Sequence, residues 1–294
     1  MSLNAFPLQP DENLKHRVKE HWEHDPCAIR YADETDGDFV NNFANVDRHV
    51  YELDYMRAGF ADFAGARGKK VLEVGLGVGS DFLNWVRAGA KVSGVDLTQA
   101  SVGLVRKRLA SEHLNAQVIV GDAENLPFPD AHFDLYYSWG VLHHTPDTRK
   151  AIAQAWRVLK PGGTLKLMLY HYPSVFAYLV WMLYGPLKGK FIGPRKVIFD
   201  NVESPGTKSF TEDEVKTMIR ECDPRATSDE CLKIRTYLAS PDLLSFGLSE
   251  KYHGAKWQLI QQLYPRGLVK LLVGDRFGTF MTIEAVKPSG KSRS

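Results

Sequence analysis

The sequence predicts an α/β protein built on an open, doubly wound parallel sheet. Two observations lead there. Between Lys69 and Tyr172, short apolar runs alternate with helical patterns at the spacing of strand–helix–strand crossovers. The first of those runs, VLEVGLGVGSD (Val71–Asp81), ends in three glycines on alternate positions just before a helix begins.

Taken in order, KKVLEVG reads as the first strand and FLNWVRAGA as the helix behind it, with Gly89 as a C-terminal cap. KVSGVDL is the second strand, SVGLVRKRLASEHL a helix, AQVIVGDA the third strand, and FDLYYSWGVL a fourth that runs into a loop at HHTPD. TRKAIAQAWRVLK is a helix stopped by PGG, whose turn launches the fifth strand, TLKLMLYHY. Crossovers of this kind are right-handed. Further on, TEDEVKTMIREC opens with a capping box, Thr211 followed three places later by Glu214. CLKIRTYL and GTFMTIEAV are two more strands, joined by a helical insert around AKWQLIQQLYPRGLVKLL.

These elements divide the chain into a helical N-terminal cap (1–68), a ligand-binding core (69–172), a lid insertion (173–209), a segment that completes the sheet (210–287) and a disordered tail (288–294). No internal repeat is visible.

Composition narrows the function. At 294 residues and 44% hydrophobic content the chain can bury a full core. With 37 basic against 35 acidic residues no overall field argues for nucleic acid or an anionic membrane. Cys27, Cys222 and Cys231 are odd in number and lack CxxC spacing, which fits a reducing compartment and predicts neither a disulfide framework nor a metal site. No secretory signal is legible in MSLNAFPLQPDENLKHR, so the cytoplasm is the expected location. VFAYLVWMLYGPL (Val175–Leu187) is shorter than the roughly 20 residues a membrane span needs. It reads as a lid. Because Lys188, Lys190, Arg195 and Lys196 follow it, a weaker alternative is a helix lying on a membrane surface.

The glycines carry the chemistry. Gly75, Gly77 and Gly79 sit at the carboxyl end of the first strand, where open α/β sheets bind ligands, and remove side chains where a ligand must lie against the backbone. Asp96 ends the second strand roughly 20 residues after the first glycine, where a carboxylate accepts both hydroxyls of a ribose. A pyrophosphate cofactor would favour G-x-G-x-x-G, but the sixth place is Ser80. Glu73, just before the turn, is a poor neighbour for phosphate and a good one for a cation.

An acid followed by G-x-G-x-G resembles the first motif of class I S-adenosylmethionine-dependent methyltransferases. The resemblance continues with Asp122 and Ala123 in GDAENLPF, the fourth-strand segment FDLYYSWGVLHHTPD and the turn RVLKPGGTLKL, and from Val71 to Tyr170 it is to the type 11 branch. It implies a seven-stranded, Rossmann-like sheet with the last strand antiparallel, S-adenosylmethionine as cofactor, and Glu73, Gly75, Gly77, Asp96, Leu97, Asp122, Ala123 and Ser138 as its binding residues. Asp122 and Ala123 would read the edge of adenine.

Methyl transfer is an in-line displacement, so holding the acceptor and excluding water matter most. An oxygen or nitrogen acceptor needs a base, for which His143 and His171 are the candidates, since imidazole titrates near neutrality. Tyr170, Tyr172 and Trp139 from the strand ends, with Trp22, Arg30 and Tyr31 from the cap, are candidate acceptor contacts, Trp139 through its aromatic face and Arg30 through a carboxylate. A small acceptor is expected because these aromatic segments would enclose a concave pocket. No segment suits a flipped base. Sulfur or arsenic methylation, with Cys27 the one cysteine in the cap, is a minority reading, and a catalytically inert cofactor-binding module is the reading of another class.

Overall fold

A computed structural model describes residues 12–32, 39–189, 191–245 and 255–290. The seven strands are β1 (Lys70–Val74), β2 (Lys91–Asp96), β3 (Gln117–Val120), β4 (Phe133–Trp139), β5 (Leu159–Tyr170), β6 (Leu232–Tyr237) and β7 (Phe280–Val286). They form one sheet in the order β3-β2-β1-β4-β5-β7-β6. The first five are parallel, and β7 runs antiparallel between β5 and β6. Strand order reverses between β1 and β4, and the glycine turn lies at that switch.

Alternation along each strand sends side chains to opposite faces, and both faces are covered. Leu72 and Val74 join Leu165, Leu167 and Ile283 against α6 (Thr148–Val158) and α9 (Glu212–Cys222), which contribute Ile152, Ala155, Val215 and Ile219. Val71 and its neighbours pack on the other face against α4 (Ser80–Arg87) and α5 (Gln99–Ser111), through Phe82, Trp85, Val102 and Val105. Glu73 shares that second face, so its carboxylate enters the protein and not solvent.

The N-terminal residues contain no strand among those described. They form α1 (Glu12–His24), α2 (Phe39–Leu53) and α3 (Arg57–Ala61). Phe43, Val46 and Val50 of α2 make a small core with Val78 of the glycine turn. The lid is a helical pair, α7 (Val175–Tyr184) and α8 (Pro194–Asn201). The insert before β7 is broken by Pro265 into α10 (Ala255–Leu263) and α11 (Arg266–Val273). Most of the tail expected to be disordered, residues 291–294, lies outside the described residues.

No helix among the described residues is long and apolar enough to cross a membrane. The basic flank expected beside α7 is largely spent within the fold. Arg195 is buried and pairs with Glu214 at 2.9 Å, Lys196 pairs with Asp200, and Lys188 sits over the Tyr184 ring; Lys190 lies outside the described residues.

The capping box at α9 is formed in full. Thr211 Oγ1 accepts from the Glu214 amide at 3.2 Å and the Glu214 carboxylate accepts from the Thr211 amide at 2.9 Å. Because Glu214 also holds Arg195, one residue fixes both the start of α9 and the lid. Thr211→Ala is expected to cost about 1 kcal/mol, the usual loss of an N-cap, measured as a lower urea midpoint.

Candidate active site

The turn after β1 has no side chains at its glycines for a steric reason. Gly75 has φ +83°, and a Cβ there would lie 2.1 Å from Val141 Cγ2. Gly77 has φ +51°, and a Cβ there would lie 3.2 Å from Cys27 Cβ, in the cap. The turn is therefore pressed between the loop after β4 and the N-terminal segment. Asp96 holds it in shape. One carboxylate oxygen accepts from the amides of Leu76 (2.7 Å) and Gly77 (3.4 Å), the other from the amide and hydroxyl of Thr98 (2.9 and 2.7 Å). Burial pushes the Asp96 carboxyl up, and these four donors pull it back.

Beneath the turn lies a charge network that links cap to core. Asp81, 1% exposed, accepts from Arg57 Nε at 2.8 Å, Tyr51 at 2.8 Å and Tyr137 at 2.7 Å. Asp54 accepts from Trp139 Nε1 at 3.0 Å and lies 3.5 Å from Arg57. Glu73, beside them, is 2% exposed and its Oε2 has no hydrogen-bond partner. Burial, followed by the Asp81 charge, pushes its carboxyl well above the carboxylate range despite Arg57. Three carboxylates thus face one guanidinium, and one of them is an orphan. That imbalance fits a cationic ligand, which would hold Glu73 ionised.

The cap also reaches the other strand ends. Lys15 donates to both Asp122 and Glu124 at 2.7 Å. Glu23 accepts from the amides of Gln99 and Ala100 at the start of α5 (3.0 and 2.9 Å), a favourable place for an anion. Asp47 of α2 receives the buried Arg108 guanidinium at 2.6 Å and the Ser80 hydroxyl at 2.6 Å.

A second cluster stands at the ends of β4 and β5. The turn Leu142–His144 carries two adjacent histidines. His143 is fully buried, stacks on Tyr170 at 4.1 Å, and has no hydrogen-bond partner on either ring nitrogen. Burial drives its pKa well below the usual imidazole value, with His144 and Lys208 adding to the effect. His144 Nδ1 lies 3.1 Å from Thr207 Oγ1 and 2.9 Å from Ser204 Oγ, while its Nε2 lies 3.3 Å from Glu203. Tyr170 donates to the other oxygen of Glu203 at 2.7 Å. Burial works to raise the Glu203 carboxyl, but the contacts with His144 and Tyr170 outweigh it and lower it.

The expected site residues divide between these two centres. Tyr170, His143 and Trp22 are brought together, the Trp22 ring lying 5.3 Å from that of His144. Cys27 and Arg30 lie near the same carboxylate. Arg30 pairs with Asp25 at 3.2 Å, and Tyr31 stacks on His49 at 4.0 Å. Leu97 is half-buried beside Asp96, and Ala123 is packed in the core. Ser138 is buried and donates to the Val74 carbonyl at 2.8 Å, bracing β4 on β1. Asp122, expected to read adenine, is engaged by Lys15 and by the Glu124 amide at 2.8 Å. His171 stands apart: it leaves β5 on the face opposite Tyr170, and its Nδ1 donates to the Gly278 carbonyl at 3.0 Å. Trp139 is buried between Arg57 and Phe280. Tyr172 lies against Tyr178 and under Arg195, in the lid. The sequence reading missed Arg57, Asp81, Tyr51 and Glu203. The signal for Asp81 was its place in the first turn of the helix after the glycines.

A family model described as a methyltransferase domain matches residues 72–167, the stretch from β1 to β5. That stretch is a class I S-adenosylmethionine-dependent methyltransferase domain of the type 11 branch. The ubiquinone/menaquinone biosynthesis C-methyltransferase UbiE of Laribacter hongkongensis is 37% identical over 139 residues, 44% of this chain and 56% of that protein. The phthiotriol/phenolphthiotriol dimycocerosates methyltransferase of Mycobacterium tuberculosis is 42% identical over 98 residues, 33% of this chain and 36% of that protein. The chain thus spans about half or less of the length of these relatives. The geranyl diphosphate C-methyltransferase of Streptomyces coelicolor A3(2) shares the fold, with TM-score 0.58 and 14% identity, over 95% of this chain and 100% of that one.

The cap is bound to the sheet through Asp81. Tyr51→Phe removes one hydrogen bond to that buried carboxylate and is expected to cost about 1.5–3 kcal/mol, read by urea denaturation; a loss below about 0.5 kcal/mol would show that the network is not what joins them.

Proposed function

We propose that the chain transfers the methyl group of S-adenosylmethionine to a small, largely apolar acceptor bound between the cap, the ends of β4 and β5 and the lid. The observation that carries the reading is the cluster of His143, His144, Tyr170 and Glu203, set against the glycine turn through Val141 and overlain by Trp22 of the cap. It offers polar groups inside aromatic walls, as small-molecule sites do. The UbiE and phthiotriol dimycocerosates methyltransferases named above are in keeping with an apolar acceptor.

The bound cofactor supplies an electrophilic methyl group on a sulfonium. Glu73 and the carboxylates around it would favour its positive charge. The bare glycine turn would receive its backbone-facing edge, and Asp96 would meet the ribose by exchanging part of its hold on the turn. Asp122 would meet the adenine edge only after loosening Lys15. The remaining contribution of the protein is to orient the acceptor and exclude water, which the cap does by covering the strand ends.

Oxygen or nitrogen is our preferred nucleophile, because His144 and Glu203 form a polar pair at the site that can handle its proton. Sulfur or arsenic acceptors are less well supported. Desolvation by the surrounding cap, followed by the Glu203 charge, pushes the Cys27 thiol up to about 11, which keeps it protonated. Cys222 lies on α9 and Cys231 precedes β6, away from the cluster.

Two measurements test the reading. Glu73→Gln replaces a carboxyl whose charged form burial already disfavours, so unfolding free energy should change by less than about 1 kcal/mol, while affinity for S-adenosylmethionine falls by about 1.5–3 kcal/mol, the worth of a hydrogen bond to a charged group. Calorimetry showing equal affinity would remove Glu73 from the cofactor site. Incubation of the protein and cofactor with a metabolite extract should give a mass gain of about 14 Da, one methylene net, in a small molecule. Methylation of protein or RNA with every metabolite inert would overturn the small acceptor.

A further inference from the structure

We propose that His143, His144 and Glu203 bind a divalent transition-metal ion such as Zn²⁺, with open coordination positions toward the acceptor side of the crevice. One ligand atom from each residue can be chosen so that all three lie within 4.8 Å of one another. Two histidines and a carboxylate are a donor set for catalytic zinc, which keeps a fourth position open.

The hydrogen bonds around the cluster call for a cation. Thr207 Oγ1 spends its only hydrogen on the carbonyls of Val202 and Ser204, at 2.7 and 2.8 Å. Toward His144 it can therefore only accept, so Nδ1 carries the imidazole hydrogen. Nε2, the ring atom left for a ligand, then lies 3.3 Å from Glu203 Oε2. That contact needs a positive centre, which a proton on Nε2 supplies in an ion pair and a metal ion supplies when one is bound. Two donors on one tetrahedral zinc, each about 2.1 Å from it, lie about 3.4 Å apart, so this pair already has the edge length of a zinc polyhedron.

His143 supplies the independent observation. It is fully buried, and both its ring nitrogens lack a hydrogen-bond partner, a costly arrangement that coordination would relieve. The surroundings match those of ligands held in place. His144 donates its other ring N–H to Thr207 and Ser204, and the second oxygen of Glu203 accepts from Tyr170. Glu203 itself holds φ +51°, a left-handed conformation that is unfavourable for a residue with a side chain and recurs at functional sites. Its side chain is 41% exposed, which gives an ion a path in.

The metal would fix an oxygen or nitrogen of the acceptor, a refinement that rests on the proposed methyl transfer; metal uptake itself does not. The full chain, stripped with chelator and dialysed, should take up one equivalent of Zn²⁺ in calorimetry. With Co²⁺ it should develop visible d–d absorption of a low-coordinate nitrogen–oxygen site. Glu203→Gln, at a part-exposed position that tolerates the change, should weaken uptake at least 100-fold, and Tyr170→Phe about tenfold to 100-fold. His143→Ala should abolish the cobalt spectrum. If it fails to fold, Glu203→Gln carries the test. Absence of stoichiometric Zn²⁺ or Co²⁺ uptake by the wild type, or unchanged uptake by Glu203→Gln, overturns the site. Uptake without turnover on any acceptor would leave the metal site standing and count against the methyltransferase reading alone.

Discussion

A buried carboxylate stands at the centre of the contact between cap and sheet. Asp81 takes hydrogen bonds from Arg57 and Tyr51 of the N-terminal helices and from Tyr137 of β4, three donors from two layers meeting at a residue with 1% exposure. A charge so deep is tolerable only while each partner stays in place. The network therefore transmits position: where α4 starts, α2 and α3 must follow, and Cys27 arrives over Gly77.

That arrangement explains why the core was legible in the sequence and the cap was not. Strands reveal themselves through period-two burial, helices through Thr211 and Glu214 or the stop at Pro161–Gly162–Gly163, and the glycine turn through positions where a Cβ cannot fit. Each is a local signal. The anchors of the cap, Lys15 on Asp122, Asp47 on Arg108 and Arg57 on Asp81, pair residues far apart in the chain, and no periodicity encodes them. Glu203 went unnoticed for the same reason. His171 shows the converse: alternation along β5 parts it from Tyr170, but its ring is held by the carbonyl of Gly278, more than a hundred residues later.

Relatedness follows the same division. The family match ends at residue 167, and the similarity to curated relatives falls within a third to a half of the chain. The part shared with the family model is β1–β5, the stretch that carries the glycine turn and Asp96. The cap, the loop at Glu203 and the helical pair α7–α8 lie outside that match, in segments that are free to differ between proteins on one scaffold.

The position of β7 has a consequence for how the molecule is made. The last strand of the chain pairs with β5 on one side and β6 on the other. While the polypeptide emerges from the ribosome, residues up to Tyr237 can be complete and yet β5 has an open edge, a template for pairing with other chains. Closure must wait for Phe280–Val286 to insert, a non-local and therefore slow event. The half of the sheet that carries Tyr170 is the last to be sealed, so a nascent or truncated chain would aggregate through the strand that, in the finished protein, lines the crevice.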